Sequence, residues 1–447
     1  MRYRIRSAAL FLLISSLFLP LSGFAGQAKN IILMIGDGMG PGQFAAAWLY
    51  SNKILNKELR MVEVMKGGRT AFLANGAADA IVTESAAAAS QIATGMMMTT
   101  GTISMAADGK TPVKTILEIA KDRGMATGLV TTSGITDATP AAFAAHVAHR
   151  SDETAVADQE LRAGVEVLMG GRKQFFLSEV AAGKRKDGRN LLDEARAAGY
   201  VVIDTADELK RVEGGKVLGL FNMGNMAYEI DRGATAEPSL AEMTTKTLQI
   251  LSRNPKGFFA MIEGGRIDHA AHQNDAAGTI RDTLAFDEAV GVGLDFQRKN
   301  PDTLVIVTAD HETGGMAIIG NSVDLAAIRK VQASFEVVAD ALGMNPTPEK
   351  VREVVKRYLA VEITDDEAKM VTCDPIWKLG PHNYAYPMMH SLAFVLRPYL
   401  GVGWVSQTHI ASLLLAFGSG PGSEALVGFR HNTELFQIMK NALEERK

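Results

Sequence analysis

Phe258-Phe259-Ala260-Met261-Ile262 is an unbroken apolar run that ends on Glu263. No polar residue alternates with the apolar ones, so the run does not fit a strand with one wet face. Continuous apolar strands of this kind are buried on both faces, as in a parallel sheet covered by helices. Residues 31–35, 127–131 and 304–307 read the same way. Between these runs lie patterns of helical length at 41–52, 140–150, 239–253 and 278–299. Strand followed by helix, repeated, predicts an α/β fold with an open, mostly parallel central sheet flanked by helices on both faces.

Each apolar run also leads into an acid: Asp37 after the first, Asp137 after the second, then Glu263 and Asp310. The carboxyl ends of strands are where open α/β sheets build their sites. Four carboxylates gathered there would repel and raise one another's pKa values unless cations lie between them, and divalent metal ions are the economical solution. Any one of these acids alone reads better as a helix cap or turn residue; four in register do not.

The 447 residues include 46 Lys+Arg against 50 Asp+Glu and are 47% hydrophobic, which describes a globular chain able to bury a sizeable core. A net charge of -4 argues against a nucleic-acid-binding module. Cys373 is the one cysteine, so an intrachain disulfide framework and a thiolate zinc cluster are excluded, and any metal falls to the nine histidines and the carboxylates. Arg2, Arg4 and Arg6 precede an apolar run, and Gly23-Phe24-Ala25 offers a small-x-small cleavage site. Residues 1–25 therefore read as a secretory signal and 26–447 as a single catalytic domain, periplasmic or secreted, with no stable membrane anchor after cleavage. Cleavage removes three bases and no acids, taking the net charge from -4 to -7. Residues 181–190 read as an exposed loop. Residues 321–380 read as a helical insertion broken at Asn345-Pro346-Thr347-Pro348.

The densest chemistry lies in Glu263-Gly264-Gly265-Arg266-Ile267-Asp268-His269-Ala270-Ala271-His272. Asp268 and His272 are four apart, which puts a carboxylate and an imidazole on one face of a helical turn, a pairing suited to zinc. Glu263, at the strand end, suits a neighbouring ion better. Asp310-His311 follows a strand directly, and Asp37 stands between Gly36 and Gly38, where the backbone can approach an ion or a phosphate closely. Ser85 opens an Ala-rich helical stretch whose N-terminal amides would favour an anion. It lacks the Gly-x-Ser-x-Gly elbow, so a metal rather than a triad would have to activate it. Asp137 and Thr139 offer hard oxygens suited to magnesium, with Thr139 read as the cap and Pro140 as the first residue of a helix that carries Arg150 three turns on. The fork of Arg150 could clamp two phosphate oxygens.

In sequence order these motifs resemble the alkaline phosphatase family. The resemblance runs from about Asn30 to Met439 with a gap over the insertion, through GDGMG, VTESAAAASQIATG, TDATPAAFAAHVAHR, GGRKQFF, NMAYEIDR, GFFAMIEGGRIDHAAH and TLVIVTADHETGG. It implies two zinc ions and one magnesium ion: the first zinc on Asp268, His272 and His409, the second on Asp37, Asp310, His311 and the Ser85 oxygen, and magnesium on Asp37, Asp137, Thr139 and Glu263. It further implies that Ser85 is the nucleophile and Arg150 the phosphate clamp in hydrolysis of phosphate monoesters through a seryl-phosphate. The implied partners are small phosphomonoester substrates and a second copy of the chain in a homodimer. A phosphodiesterase or sulfatase on the same metal core, and a catalytically inactive metal- or phosphate-binding protein, are the competing readings. The chain departs from the family pattern in having Glu84 where many members have Asp, His269 at a variable position beside the magnesium site, and Ile410-Ala411 after His409 where Thr-Gly is usual.

Overall fold

The computed structural model describes residues 27–320, 325–372 and 387–444. The expected signal at 1–25 and Cys373 lie outside them. Fourteen strands are present among the described residues: β1 (Asn30–Gly36), β2 (Arg69–Ala74), β3 (Ala126–Gly134), β4 (Val167–Gly171), β5 (Tyr200–Ile203), β6 (Lys216–Leu220), β7 (Phe258–Gly264), β8 (Thr303–Thr308), β9 (Glu312–Thr313), β10 (Met316–Ile318), β11 (Val402–Trp404), β12 (His409–Ile410), β13 (Leu414–Ser419) and β14 (Gly428–His431).

Ten of them form one sheet in the order β14-β2-β13-β8-β1-β7-β3-β4-β6-β5. Every neighbouring pair is parallel except those made by β13. The four apolar runs are its adjacent central strands β8, β1, β7 and β3, and every residue of β1, β7 and β8 is buried. In register, Ile35 pairs with Glu263 and with Thr308, and Thr131 pairs with Glu263. The four strand ends are thus level, and the acids that follow them meet.

Helices Pro41–Ile54, Leu240–Leu251 and Ala276–Lys299 match their expected positions, and each begins where a side chain or proline fits a helix start. Ser239 and Glu242 form a reciprocal capping box, and Asp275 accepts from the Gly278 amide. The helix expected over 140–150 is instead Ala138–Ala144, capped by Asp137 rather than Thr139. It stops because Ala145 turns extended, Gln159 binds the His146 amide at 2.8 Å, and Val147 pairs with Ile103. Arg150 therefore stands on a loop, its amide donating to Gly101 at 2.7 Å. In the expected loop at 181–190, Arg185 is buried and donates to the Thr154 carbonyl at 2.8 Å, so that segment is pinned at its centre.

The stretch expected as a helical insertion carries helices Ala326–Lys330, Phe335–Leu342, Pro348–Val354 and Asp365–Thr372, with a π-helical turn at Val355–Leu359, and helix Pro387–Leu400 follows it. Thr347 caps the third of them with Pro348 in its first turn, as the Pro-rich break predicts. The excursion extends past residue 380, because β10 and β11 pair antiparallel across its base and the last helix runs up to that pairing. Its apolar side chains form a second core that includes Tyr50 and Ile280, which seats it on the helices beside the sheet.

Candidate metal centre and nucleophile

Asp310 and His311 leave β8 and are fully buried. His311 Nε2 lies 3.1 Å from Asp310 Oδ2 and 3.5 Å from Asp37 Oδ1. Ser85 Oγ sits 3.1 Å from the same nitrogen. Gly38 donates its amide to Asp310 Oδ1 at 3.1 Å and has φ +67; a Cβ there would fall 2.8 Å from Asp268 Cα. The glycine after Asp37 thus admits the backbone of the neighbouring ligand helix.

Arg266–His272 is a helix, and Asp268 and His272 share one of its faces as their spacing predicts. His272 Nε2 lies 3.4 Å from Asp268 Oδ2 and 3.1 Å from His409 Nε2, and His409 Nε2 lies 3.7 Å from Asp268 Oδ1. Tetrahedral zinc with arms of about 2.0–2.1 Å has ligand edges of about 3.3 Å. His409 reaches this triangle through the β9–β12 pair, in which it stands opposite Thr313.

The imidazoles are oriented for ligation. The Nδ1 of His272 is 2.8 Å from the Gln407 carbonyl, which can only accept, so that nitrogen carries the proton and Nε2 presents its lone pair. Thr313 Oγ1 donates to Asp268 and is 3.3 Å from His311 Nδ1, which directs the His311 Nε2 lone pair inward by the same logic. Thr313 was not singled out in the sequence, where a lone threonine two residues after His311 carries no signal.

The acids carry the signature of a cation site. Asp37 Oδ1, Asp310 Oδ2, Thr139 Oγ1 and both oxygens of Glu263 are buried without a hydrogen-bond partner. Burial, then the neighbouring acids, pushes Asp37 well above the usual carboxylate range. Burial likewise pushes Asp310 up to about 7 and Glu263 up to about 8. Burial holds His311 down to about 4, a neutral imidazole. Orphaned hard oxygens beside neutral imidazoles are the donor set that zinc and magnesium require. Two groups of side chains bring ligand atoms within 4.8 Å of one another, Asp268 with His311 and His409, and Asp37 with Asp310 and His311; in the first, His311 stands where His272 was expected.

The other flank of the site is fully paired. Glu84 caps helix Ser85–Thr94, accepting from Ala86 and Ala87 at 2.9 and 2.8 Å, so this carboxylate occupies two of the amides that were expected to face an anion. Glu84 also accepts from Arg150 Nη1 at 2.7 Å, so the longer acid still reaches the arginine. Asp137 accepts from Ala138 N and Arg150 Nη2 on one oxygen, and from Ser133 Oγ and Arg172 Nη2 on the other. Burial opposes its ionisation, but Arg172 and Arg150 outweigh that and hold the carboxyl well below its ordinary value. His269 Nε2 is 3.9 Å from Asp137, while Arg266 Nη1 donates to its Nδ1; burial and Arg266 hold it down to about 3. Arg172 belongs to the GGRKQFF stretch, yet nothing in its spacing pointed to the site.

Nine of the ten expected ligand and nucleophile positions, and Arg150, are thus brought together beyond the carboxyl ends of β8, β1, β7 and β3; Thr139 follows Asp137 by two residues, with its Oγ1 buried and unpartnered. A family model for alkaline phosphatase matches residues 28–445. Alkaline phosphatase 4 of Bacillus subtilis is 33% identical over 429 residues, covering 93% of this chain and 89% of that protein. The crystal structure of Thermus thermophilus alkaline phosphatase superposes with a TM-score of 0.87 at 32% identity, covering 94% of this chain and 93% of that one. The cold-active alkaline phosphatase of Shewanella sp. gives 0.79 at 29%, covering 93% and 100%. With the sheet, the site and these relatives in agreement, the chain belongs to the alkaline phosphatase family of metal-dependent phosphatases.

Proposed function

We propose that the chain hydrolyses phosphate monoesters through a phosphoserine at Ser85. Asp268, His272 and His409 hold one zinc ion; Asp37, Asp310, His311 and Ser85 hold a second; Asp37, Thr139 and Glu263 hold magnesium. Asp137, which the family pattern places beside magnesium, already has four donors on its two oxygens, so we assign it to holding Arg150. The observation that carries the proposal is the Ser85 hydroxyl, buried 3.1 Å from His311 Nε2 in a cleft where Asp37 Oδ1, Asp310 Oδ2 and both Glu263 oxygens have no hydrogen-bond partner.

When bound, the ions supply Lewis acidity at the reacting oxygens and neutralise the carboxylates around them. Ser85 is held at the first turn of a helix whose residues are all buried, so its Oγ attacks phosphorus from a fixed position. The bond from phosphorus to the substrate's ester oxygen breaks and the alcohol leaves. Water then attacks phosphorus, the Oγ–phosphorus bond breaks, and inorganic phosphate departs. Throughout, the N–H groups of Arg150 not engaged by Glu84 and Asp137 are available to the non-bridging oxygens. The protein grips the phosphoryl group, so its tolerance of leaving groups is broad. Export with loss of the leader and pairing of two copies complete the reading.

The test measures metal content alongside phosphate release from an aryl phosphate monoester, with diester and aryl sulfate as the other arms. Zinc-containing protein with a strong monoester preference is expected. Full activity in zinc-free protein overturns the metal assignment, and faster turnover of the diester or sulfate overturns the substrate class.

A further inference from the structure

We infer that Arg172 is a positioning residue for phosphate capture, acting through Asp137 to set the fork of Arg150; this rests on the proposed role of Arg150. Arg150 stands on a loop, and its guanidinium is located by two acceptors, Glu84 at 2.7 Å and Asp137 at 3.0 Å. Asp137 can serve as a fixed post only if its other oxygen is also held. That oxygen meets Arg172 Nη2 at 2.9 Å, beside Ser133 Oγ at 2.6 Å.

The fold commits backbone geometry to this arrangement. Arg172 has φ 61, a left-handed conformation uncommon for a residue with a side chain. Its amide is tied to the Gly224 carbonyl at 2.5 Å. A Cβ on Gly134 would fall 2.1 Å from Arg172 Cδ, so the glycine at the end of β3 leaves the channel through which the side chain passes. At the far end every nitrogen of the guanidinium is engaged: Nη2 with Asp137, Nη1 with Glu153 at 2.8 Å, and Nε with Asn225 at 2.8 Å. A side chain fastened at three points transmits a position. Asp137 lies between the two arginines, so Arg172 does not meet substrate and its influence runs through the carboxylate. It also lines a cavity of about 830 Å³ shared with Tyr228, Arg266, His269 and Glu336.

The experiment compares Arg172→Gln, Arg172→Lys and Glu153→Gln with the wild type, all metal-loaded. Readouts are KM and kcat for an aryl phosphate, the Kd of inorganic phosphate by calorimetry, and the melting temperature. Arg172→Gln is expected to raise KM and the phosphate Kd together by about tenfold, with a smaller change in kcat. Arg172→Lys keeps one contact to Asp137 and recovers part of the loss. Glu153→Gln keeps an amide oxygen to accept from Arg172 Nη1 and leaves the Asp137 contact intact, so the fastening of the side chain persists; it lowers the melting temperature and keeps the phosphate Kd near that of the wild type. In an Arg150→Ala background, Arg172→Gln adds no further loss. Should Arg172→Gln leave the phosphate Kd unchanged while the wild type is active, the inference falls alone. If Glu153→Gln reproduces its whole effect, or the two arginine losses multiply, Arg172 is structural and the inference falls. A wild type that neither hydrolyses monoesters nor binds phosphate removes both readings.

Discussion

The two flanks of the cleft solve the burial of carboxylates in opposite ways. Around Ser85, Asp37, Asp310 and Glu263 have buried oxygens that no donor reaches, and their pKa values are raised. Around Arg150, Asp137 and Glu84 accept from arginines and amides and are held below their ordinary values. A buried charge must be paired or neutralised. The arginine flank is complete from the chain's own atoms, whereas the Ser85 flank needs cations from outside. On the proposed reading, the clamp around Arg150 is assembled by folding alone, while the Ser85 side depends on metal supply.

The sharpest way to break this contrast is to remove the ions. Dialysis against a chelator should take phosphatase activity to background and lower the melting temperature, by an amount reflecting about 4 kcal/mol per site if the ions had been present at about a thousandfold over Kd. With Asp310 near 7 and Glu263 near 8 in the ion-free state, removal at neutral pH should also draw protons onto the protein. Calorimetry in buffers of different ionisation enthalpy reads that uptake; none at all would mean that these acids are not the ligands.

Next in size is Ser85→Ala, which should lower kcat by at least about a thousandfold and leave no phosphate label on the protein. A label surviving in that variant excludes Ser85 as the nucleophile. Arg150→Ala touches only the self-paired flank. It should reduce kcat/KM by about a hundredfold while metal content stays at the wild-type level; loss of zinc in this variant would erase the distinction between the flanks.

Glu160 supplies the smallest test, because it has neither solution. It is fully buried, and neither of its oxygens has a hydrogen-bond partner. Burial, then Glu153, pushes its pKa well above the ordinary value. Between those two values the unfolded chain releases a proton that the folded chain keeps, so stability falls as pH rises through the window. Glu160→Gln cannot titrate, and its melting temperature should decline less than that of the wild type as pH rises above the ordinary carboxyl range. Parallel curves for the two proteins would show that Glu160 is not protonated in the fold.

The apolar runs at 31–35, 127–131, 258–262 and 304–307 needed no partner to be read as doubly buried strands, because a strand covered on both faces announces itself by the absence of polar alternation. The acids after them were legible for the same reason: strand ends in such a sheet share one edge, and β8, β1, β7 and β3 turned out to be neighbours in register. Asp268 and His272 followed from helical spacing. Arg150 was read as a phosphate clamp on the helix from Pro140 but stands on a loop, since the end of that helix is decided by Gln159 and the Ile103–Val147 bridge, contacts outside the helix's own pattern.

By itself, then, the sequence determined the four central strands, their covered faces and the carboxylates at their ends, because side-chain period and local spacing record burial directly. Only the tertiary structure decided which groups share an atom's reach. His409 arrives by pairing with a strand 96 residues earlier, Thr313 sets two ligands at once, and Arg172 enters through a notch at Gly134 to hold Asp137. Those relations depend on distances between segments that the chain brings together on folding, and no periodicity within a segment encodes them.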